Sequence, residues 1–160
     1  MAYFITGGTG FIGTHLIRRL LRREGTLYIL TRAGSRARFD ALRAAAGDQA
    51  DRLVAVTGDL REPMLGLDQD LIAQLRGRID HFFHLAAIYD LSADATSQVA
   101  TNIEGTRNAV QLASTLEAGC FEHVSSIAAG GLYRGTFRED MFEEAEAIEH
   151  PYFATKHESE

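Results

Sequence analysis

The chain has 160 residues, 46% of them hydrophobic and 24% charged, with a formal net charge of −6. That length fits one globular domain able to bury a sizeable core. The acidic balance excludes general nucleic-acid or membrane-surface binding as a leading role, because phosphate backbones and anionic lipids repel it.

Apolar runs alternate with helical patterns along the chain, which predicts an α/β fold, a doubly wound parallel sheet with helices on both faces. Tyr3 to Thr6 reads as the first strand, and Phe11 to Arg23 as a helix with an apolar stripe at Phe11, Ile12, Leu16, Ile17, Leu20 and Leu21. Leu27 to Leu30 is a second strand and Arg36 to Ala46 a second helix. Leu53 to Val56 is a third strand, Gln69 to Leu75 a short helix and Ile79 to Leu85 a fourth strand. Ala93 to Leu116 reads as one long helical stretch or two abutting ones, and Phe121 to Ser125 as a fifth strand. From Gly130 to Glu149 the chain turns acidic and reads as a solvated rim loop, or as a flap over a substrate pocket. Pro151 suits the first turn of a last helix holding Tyr152, Thr155, Lys156 and Ser159. That helix stops without a terminating signal, so the expectation is a chain that continues beyond it.

The most specific local feature is Thr6-Gly7-Gly8-Thr9-Gly10-Phe11-Ile12-Gly13. It places glycines three residues apart between a strand and a helix, the arrangement that cradles a dinucleotide pyrophosphate. Gly7 allows the sharp turn off the strand, Gly10 the close approach of backbone to phosphate, and Gly13 tight helix–strand packing. The following helix offers unpaired N–H groups and the positive end of its dipole.

A second constellation is chemical. Tyr152 and Lys156 are four residues apart, on one face of the last helix. A phenol is unperturbed near a pKa of about 10, and an adjacent ammonium favours the phenolate, so such a pair can donate or accept a proton at neutral pH. Lys156 is the one lysine among sixteen basic residues, in a chain that elsewhere uses arginine, which suits a position needing a compact ammonium. Ser125 and Ser126, at the end of the fifth strand, can hold a substrate oxygen. The six histidines show no metal-ligand spacing, and no metal is assigned. Cys120, the sole cysteine, has no partner for an internal disulfide and reads as a small core residue beside a strand. No apolar run approaches the roughly 20 residues of a membrane span. Met1 is followed at once by strand and glycine turn, which leaves no signal peptide and points to the cytoplasm.

Together these segments resemble the N-terminal part of an extended short-chain dehydrogenase/reductase. The glycine turn, Gly58-Asp59-Leu60, His84-Leu85-Ala86-Ala87, Asn102-Ile103-Glu104-Gly105-Thr106, His123-Val124-Ser125-Ser126 and Tyr152 to Lys156 carry the resemblance, in family order. It implies a Rossmann-type nicotinamide site across residues 1–160, with Gly7, Thr9, Gly10, Phe11, Ile12 and Gly13 at the phosphates. It implies Tyr152 as acid/base, Lys156 as the cation that favours its phenolate and binds the nicotinamide ribose, and Ser126 as holder of the substrate oxygen. Ser125 is second for that last task. Asp59 and Leu60 would border the adenine, Ala86 and Ala87 would line the cofactor cleft, and Asn102 would support the strand carrying the site. The substrate-binding region of such enzymes lies further along the chain.

The second strand ends in Leu30-Thr31-Arg32, with Ser35, Arg36 and Arg38 behind and no carboxylate before Asp40. Arginines there suit a 2′-phosphate, so Arg32 and Arg36 favour NADP (NADPH), with NAD the alternative. The run His81-Phe82-Phe83-His84-Leu85-Ala86-Ala87-Ile88-Tyr89-Asp90 resembles the fatty acyl-CoA and carrier-thioester reductase branch more than the sugar-nucleotide epimerases. The expected partner is thus a small-molecule substrate, an acyl thioester or other carbonyl, with a sterol- or flavonoid-type ketone reductase also compatible. The alternatives are an NAD-dependent epimerase/dehydratase acting on a nucleotide sugar and a non-catalytic NAD(P)-sensing regulator. A homodimer through the helix around Asn102 to Leu116 is compatible with apolar Val110, Leu112 and Leu116, as is core packing.

Overall fold

In the structure, a computed structural model that describes residues 1–89 and 94–160, the apolar segments form five strands. They are β1 (Ala2–Thr6), β2 (Thr26–Thr31), β3 (Leu53–Thr57), β4 (His81–His84) and β5 (Cys120–His123). Asp90 of the strand-end motif and the expected helix start at Ala93 lie outside the described residues. The sheet order is β3-β2-β1-β4-β5, and every neighbouring pair is parallel. The order reverses between β1 and β4, the topological point where such sheets bind ligands beyond their carboxyl ends.

Side-chain alternation divides the core between the two sheet faces. Tyr3, Ile5, Leu27, Ile29 and Leu53 pack with Ile17 and Leu20 of α1 (Phe11–Leu20) and with Phe39 and Leu42 of α2 (Arg36–Ala45). Phe4, Val56 and Phe82 face the other way, against Ile72 and Leu75 of α3 (Gln69–Leu75) and against Ala109, Leu112 and Leu116. Each large aliphatic or aromatic side chain so buried contributes about 1.5–3 kcal/mol relative to exposure. Leu112 and Leu116 are fully buried here, whereas Val110 is exposed. The first two belong to the core and are not available to a dimer surface.

Helix α1 stops three residues before the expected Arg23. The Arg52 guanidinium donates to the carbonyls of Leu21 at 3.0 Å, Arg23 at 2.5 Å and Gly25 at 2.8 Å, a cap from a distant segment. The sheet belongs to a compact unit of residues 1–86 and 108–124; residues 87–107 and 125–160 form a second.

The second unit holds α4 (Ala95–Gln98), a π-helical turn over Val99–Glu104 and α6 (Pro151–Glu158). Helix α5 (Gly105–Thr115) continues the π-helical turn. Of the two expectations, one long helix or two abutting ones, the structure is nearer the second: a π-helical turn joins the two helices and carries Asn102. The Thr106 hydroxyl donates to the Asn102 carbonyl at 2.7 Å, satisfying a backbone acceptor in the distorted stretch. In the acidic segment, Gly131 and Glu146 form an isolated bridge. The carboxylate side chains between Glu139 and Glu149 all lie on exposed residues, in keeping with the solvated-loop reading.

Candidate active site

In the first unit, β1 hands the chain to the glycine turn. Gly7 has φ +69°, and a Cβ there would stand 2.7 Å from the Ala86 nitrogen. A Cβ on Gly13 would stand 2.4 Å from the Gly7 carbonyl oxygen and 2.5 Å from the Gly8 Cα. Both positions exclude any larger residue. The Gly10 amide donates to the Gly7 carbonyl at 3.0 Å, closing the turn. Gly10 caps α1 with no side-chain hydrogen bond, so no side chain among the described residues caps the helix where phosphate would bind. Thr9 is half-buried and Phe11 and Ile12 are exposed at this edge. The residues thus fit a dinucleotide phosphate.

The opposite wall is set by His84, a group the sequence reading left without a role. It is 1% exposed, and its Nδ1 lies 2.8 Å from the Thr6 hydroxyl oxygen. The same oxygen accepts a 3.4 Å hydrogen bond from the Ala86 amide. One buried hydroxyl therefore ties the end of β1 to the turn after β4, the turn that presses on Gly7.

At the expected adenosine end, Arg32 is exposed just after β2. Asp59 receives both guanidinium contacts of Arg61, at 3.0 and 2.7 Å, and the Arg61 amide at 3.0 Å. The Arg61 side-chain hydrogen bonds, with a smaller contribution from the Arg32 charge, hold the Asp59 carboxyl down at about 2. Arg61 is a residue the sequence reading missed; its spacing of two from Asp59 was the available signal. Arg36 is turned toward its own helix, donating to Asp40 at 3.2 Å and lying over the Phe39 ring. Arg38 donates to the buried Ser35 hydroxyl at 3.0 Å. The side chain of Leu60 is buried in the core cluster, so only its backbone can border a ligand. Its carbonyl accepts from Asn108 at 2.8 Å, which anchors the loop.

The second unit carries Ser126, Tyr152 and Lys156, the expected proton-transfer groups. His150 begins α6, its Nδ1 accepting from the Tyr152 amide at 3.2 Å, and Pro151 occupies the first turn. The Tyr152 hydroxyl donates to Ser126 Oγ at 3.4 Å. Ser126 Oγ also accepts from the Ala128 amide at 3.2 Å, which fixes its rotamer. Ser125 Oγ is buried and has no hydrogen-bond partner among the described residues. Of the two serines, Ser126 is the one paired with the tyrosine. Lys156 sits one turn beyond Tyr152, 3% exposed, and burial pushes its ammonium below the usual lysine range. Ala87, half-buried, opens the segment that leads to Ile88.

Asn102 organises this unit. Its Oδ1 accepts from the Ile88 amide at 2.8 Å, and its Nδ2 donates to the Ile88 carbonyl at 3.0 Å and to Thr155 Oγ1 at 3.2 Å. Thr155 in turn donates to the Tyr152 carbonyl at 3.1 Å. The amide thus holds the backbone after β4 and the helix of Tyr152 and Lys156 together. The link through Thr155 is one the sequence reading did not find. Farther along, His157 lies 3.0 Å from the Ala129 carbonyl and stacks on Phe142 at 4.1 Å, pinning the acidic loop to α6.

Cys120 is exposed, contrary to expectation, because it opens β5 at the start of the sheet's last strand. No helix among the described residues is long and apolar enough to cross a membrane.

Residues 5–160 match the family model described as male sterility protein. The chain is 30% identical over 155 residues to a provisionally named fatty acyl-CoA reductase of Drosophila melanogaster, covering 87% of this chain and 28% of that protein. It is 33% identical over 137 residues to the L-2-aminoadipate reductase large subunit of Penicillium chrysogenum, covering 79% of this chain and 10% of that one. Among solved structures, the terminal R domain of the myxalamid PKS-NRPS pathway superposes with a TM-score of 0.86 at 28% identity, over 99% of this chain and 43% of that one. The chain thus spans less than half the length of each of these proteins. With a glycine turn that admits no side chain and a match that runs from β1 to α6, the chain belongs to the male sterility protein family of extended short-chain dehydrogenases/reductases.

Proposed function

We propose that the chain is the cofactor-binding and catalytic part of an NADP-dependent reductase that acts on an acyl thioester. The observation that carries this reading is the Tyr152 hydroxyl at 3.4 Å from Ser126 Oγ, with buried Lys156 one turn away on the same helix. The names of the relatives support the substrate class, since they include a fatty acyl-CoA reductase and a reductase domain of a peptide synthetase.

The first unit serves to bind the dinucleotide, with its pyrophosphate on the Gly7–Gly13 turn and its 2′-phosphate at Arg32. Arg36, paired with Asp40, is the weaker candidate for that contact. When bound, the reduced nicotinamide supplies a hydride to the thioester carbonyl carbon. Ser126 donates a hydrogen bond to the oxygen as negative charge develops there, and Tyr152 supplies its proton. Lys156 stabilises the phenolate left behind by charge. Loss of the thiol from the tetrahedral carbon gives the aldehyde, so one thioester, one NADPH and one proton yield aldehyde, free thiol and NADP. The same residues would serve a further reduction of the aldehyde to the alcohol, at the cost of one more NADPH and one more proton.

The test is NADPH oxidation with a long-chain acyl-CoA, run beside NAD with a nucleotide sugar. Thioester-dependent loss of NADPH absorbance, reduced roughly 10²–10⁴-fold by Tyr152→Phe, is the expected result. Arg32→Glu should weaken NADPH about tenfold or more while sparing NADH, because a charge-assisted hydrogen bond is lost. Turnover with the sugar nucleotide alone would favour an epimerase. Dinucleotide binding without turnover of either substrate would favour a sensor.

A further inference from the structure

We propose that His81, Cys120 and Glu122 form a binding site for a divalent transition-metal ion of the zinc class, clipping β5 to β4. The site is separate from the dinucleotide machinery of the first unit: it lies where β4 and β5 begin, whereas the glycine turn follows the end of β1.

The register creates it. His81 pairs with Cys120 and Phe83 with Glu122, so all three side chains leave the same face of the sheet on adjacent strands. Their ligand atoms all lie within 4.8 Å of one another. Cys120 Sγ is 3.2 Å from Glu122 Oε1, and His81 Nδ1 is 3.4 Å from the same oxygen. Tetrahedral zinc, with bonds of about 2.3 Å to sulfur and about 2.0–2.1 Å to nitrogen and oxygen, needs ligand–ligand edges of about 3.5 Å and about 3.3 Å. The two edges that meet at Glu122 match these values to within a few tenths of an ångström, and the His81–Cys120 edge lies within 4.8 Å.

The imidazole is already oriented. Its ring stacks with those of Tyr3 at 6.0 Å and Phe83 at 5.9 Å, at interplanar angles of 20° and 15°. Its Nδ1 is shielded from solvent and makes no hydrogen bond of good geometry. A buried ring nitrogen left without a hydrogen bond beside a carboxylate is a place where a bound cation can satisfy both groups. Thiolate and carboxylate together neutralise a 2+ ion, and neutral imidazole is the third ligand. Cys120 is exposed, which gives the ion an entry path and leaves a fourth position to water. On binding, the sulfur–metal bond replaces the S–H bond and the proton passes to solvent, with no change of oxidation state. A metal that binds only the folded sheet stabilises it by mass action.

The test is titration of the metal-free chain, without a histidine tag, with Co²⁺. Cys120 is the sole cysteine, so a sulfur-to-cobalt charge-transfer band can come from this site alone. The expected result is a band that saturates at one equivalent, has four-coordinate d–d intensity, disappears on adding Zn²⁺ and is absent from Cys120→Ser. His81→Gln and Glu122→Gln should each weaken Co²⁺ at least about tenfold, and Zn²⁺ should raise the melting temperature of the parent chain but not of Cys120→Ser. Absence of the band at excess Co²⁺ would overturn the proposal. So would a band of unchanged affinity in both His81→Gln and Glu122→Gln, which would mean that the thiol binds metal unaided.

Discussion

Replacing Gly13 with alanine tests the glycine turn most sharply. The added Cβ would lie 2.4 Å from the Gly7 carbonyl oxygen, 2.5 Å from the Gly8 Cα and 2.7 Å from the Gly8 carbonyl carbon. All three are backbone atoms that no rotamer change can move. Relief to even 3.0 Å requires the turn to retreat from α1 by about 0.6 Å. Overpacking of this kind costs roughly 1–3 kcal/mol, and alanine returns up to about 1 kcal/mol of helix propensity. A net loss of about 1–2 kcal/mol lowers the melting temperature by roughly 2–8 °C for a domain of this size. The same displacement moves the amides that would meet the pyrophosphate. Losing one such charge-assisted bond weakens NADPH by about tenfold or more. Thermal unfolding and calorimetric titration with NADPH measure the two effects together. Gly34→Ala is the control, since a Cβ there meets nothing within 4 Å. Gly13→Ala with parental melting temperature and parental NADPH affinity would refute the close-approach argument.

Thr155→Val removes the acceptor of Asn102 Nδ2 and the donor to the Tyr152 carbonyl. It should cost about 1–3 kcal/mol and lower kcat while leaving the KM for NADPH near its parental value; an unchanged kcat would show that Thr155 does not position α6. Asp59→Asn should remove stability that the Asp59 carboxylate supplies. Because the folded-state pKa is depressed from 3.8 to about 2, that stability is present above pH 4 and lost as pH falls from about 4 to about 2. Arg61 is largely exposed, so solvent screening limits the effect to about 1 kcal/mol, read as a flatter acid limb in urea unfolding. Arg52→Ala strips three carbonyl contacts from the end of α1 and should cost about 1–2 kcal/mol with NADPH affinity unchanged. Equal midpoints for parent and variant would remove the capping role.

Strands β1 to β4 were legible because each carries a short run of apolar residues bounded by turn residues, the pattern of a parallel sheet covered by helices, whereas β5, Cys120–His123, carries only exposed or partly buried residues. The glycine turn was legible for a related reason: close backbone approach leaves glycine as the sole tolerated residue, so the constraint is written in residue type. Tyr152 and Lys156 could be paired because helical spacing alone places them on one face. Other features depended on partners remote in the chain. The 93–116 stretch reads as one helix or two abutting ones, and the π-helical turn between them, which carries Asn102 with its bonds to Ile88 and Thr155, has no local signal in the sequence. Cys120 looked like a core residue until the sheet order placed it at the start of the last strand. His84 bonding Thr6 across 78 residues, Arg52 capping α1 and the gathering of His81 with Cys120 and Glu122 are likewise products of register. A chain can encode a periodicity or a forbidden side chain locally. Which distant groups meet is settled when parallel strands come into register and bring residues far apart in sequence within hydrogen-bonding distance.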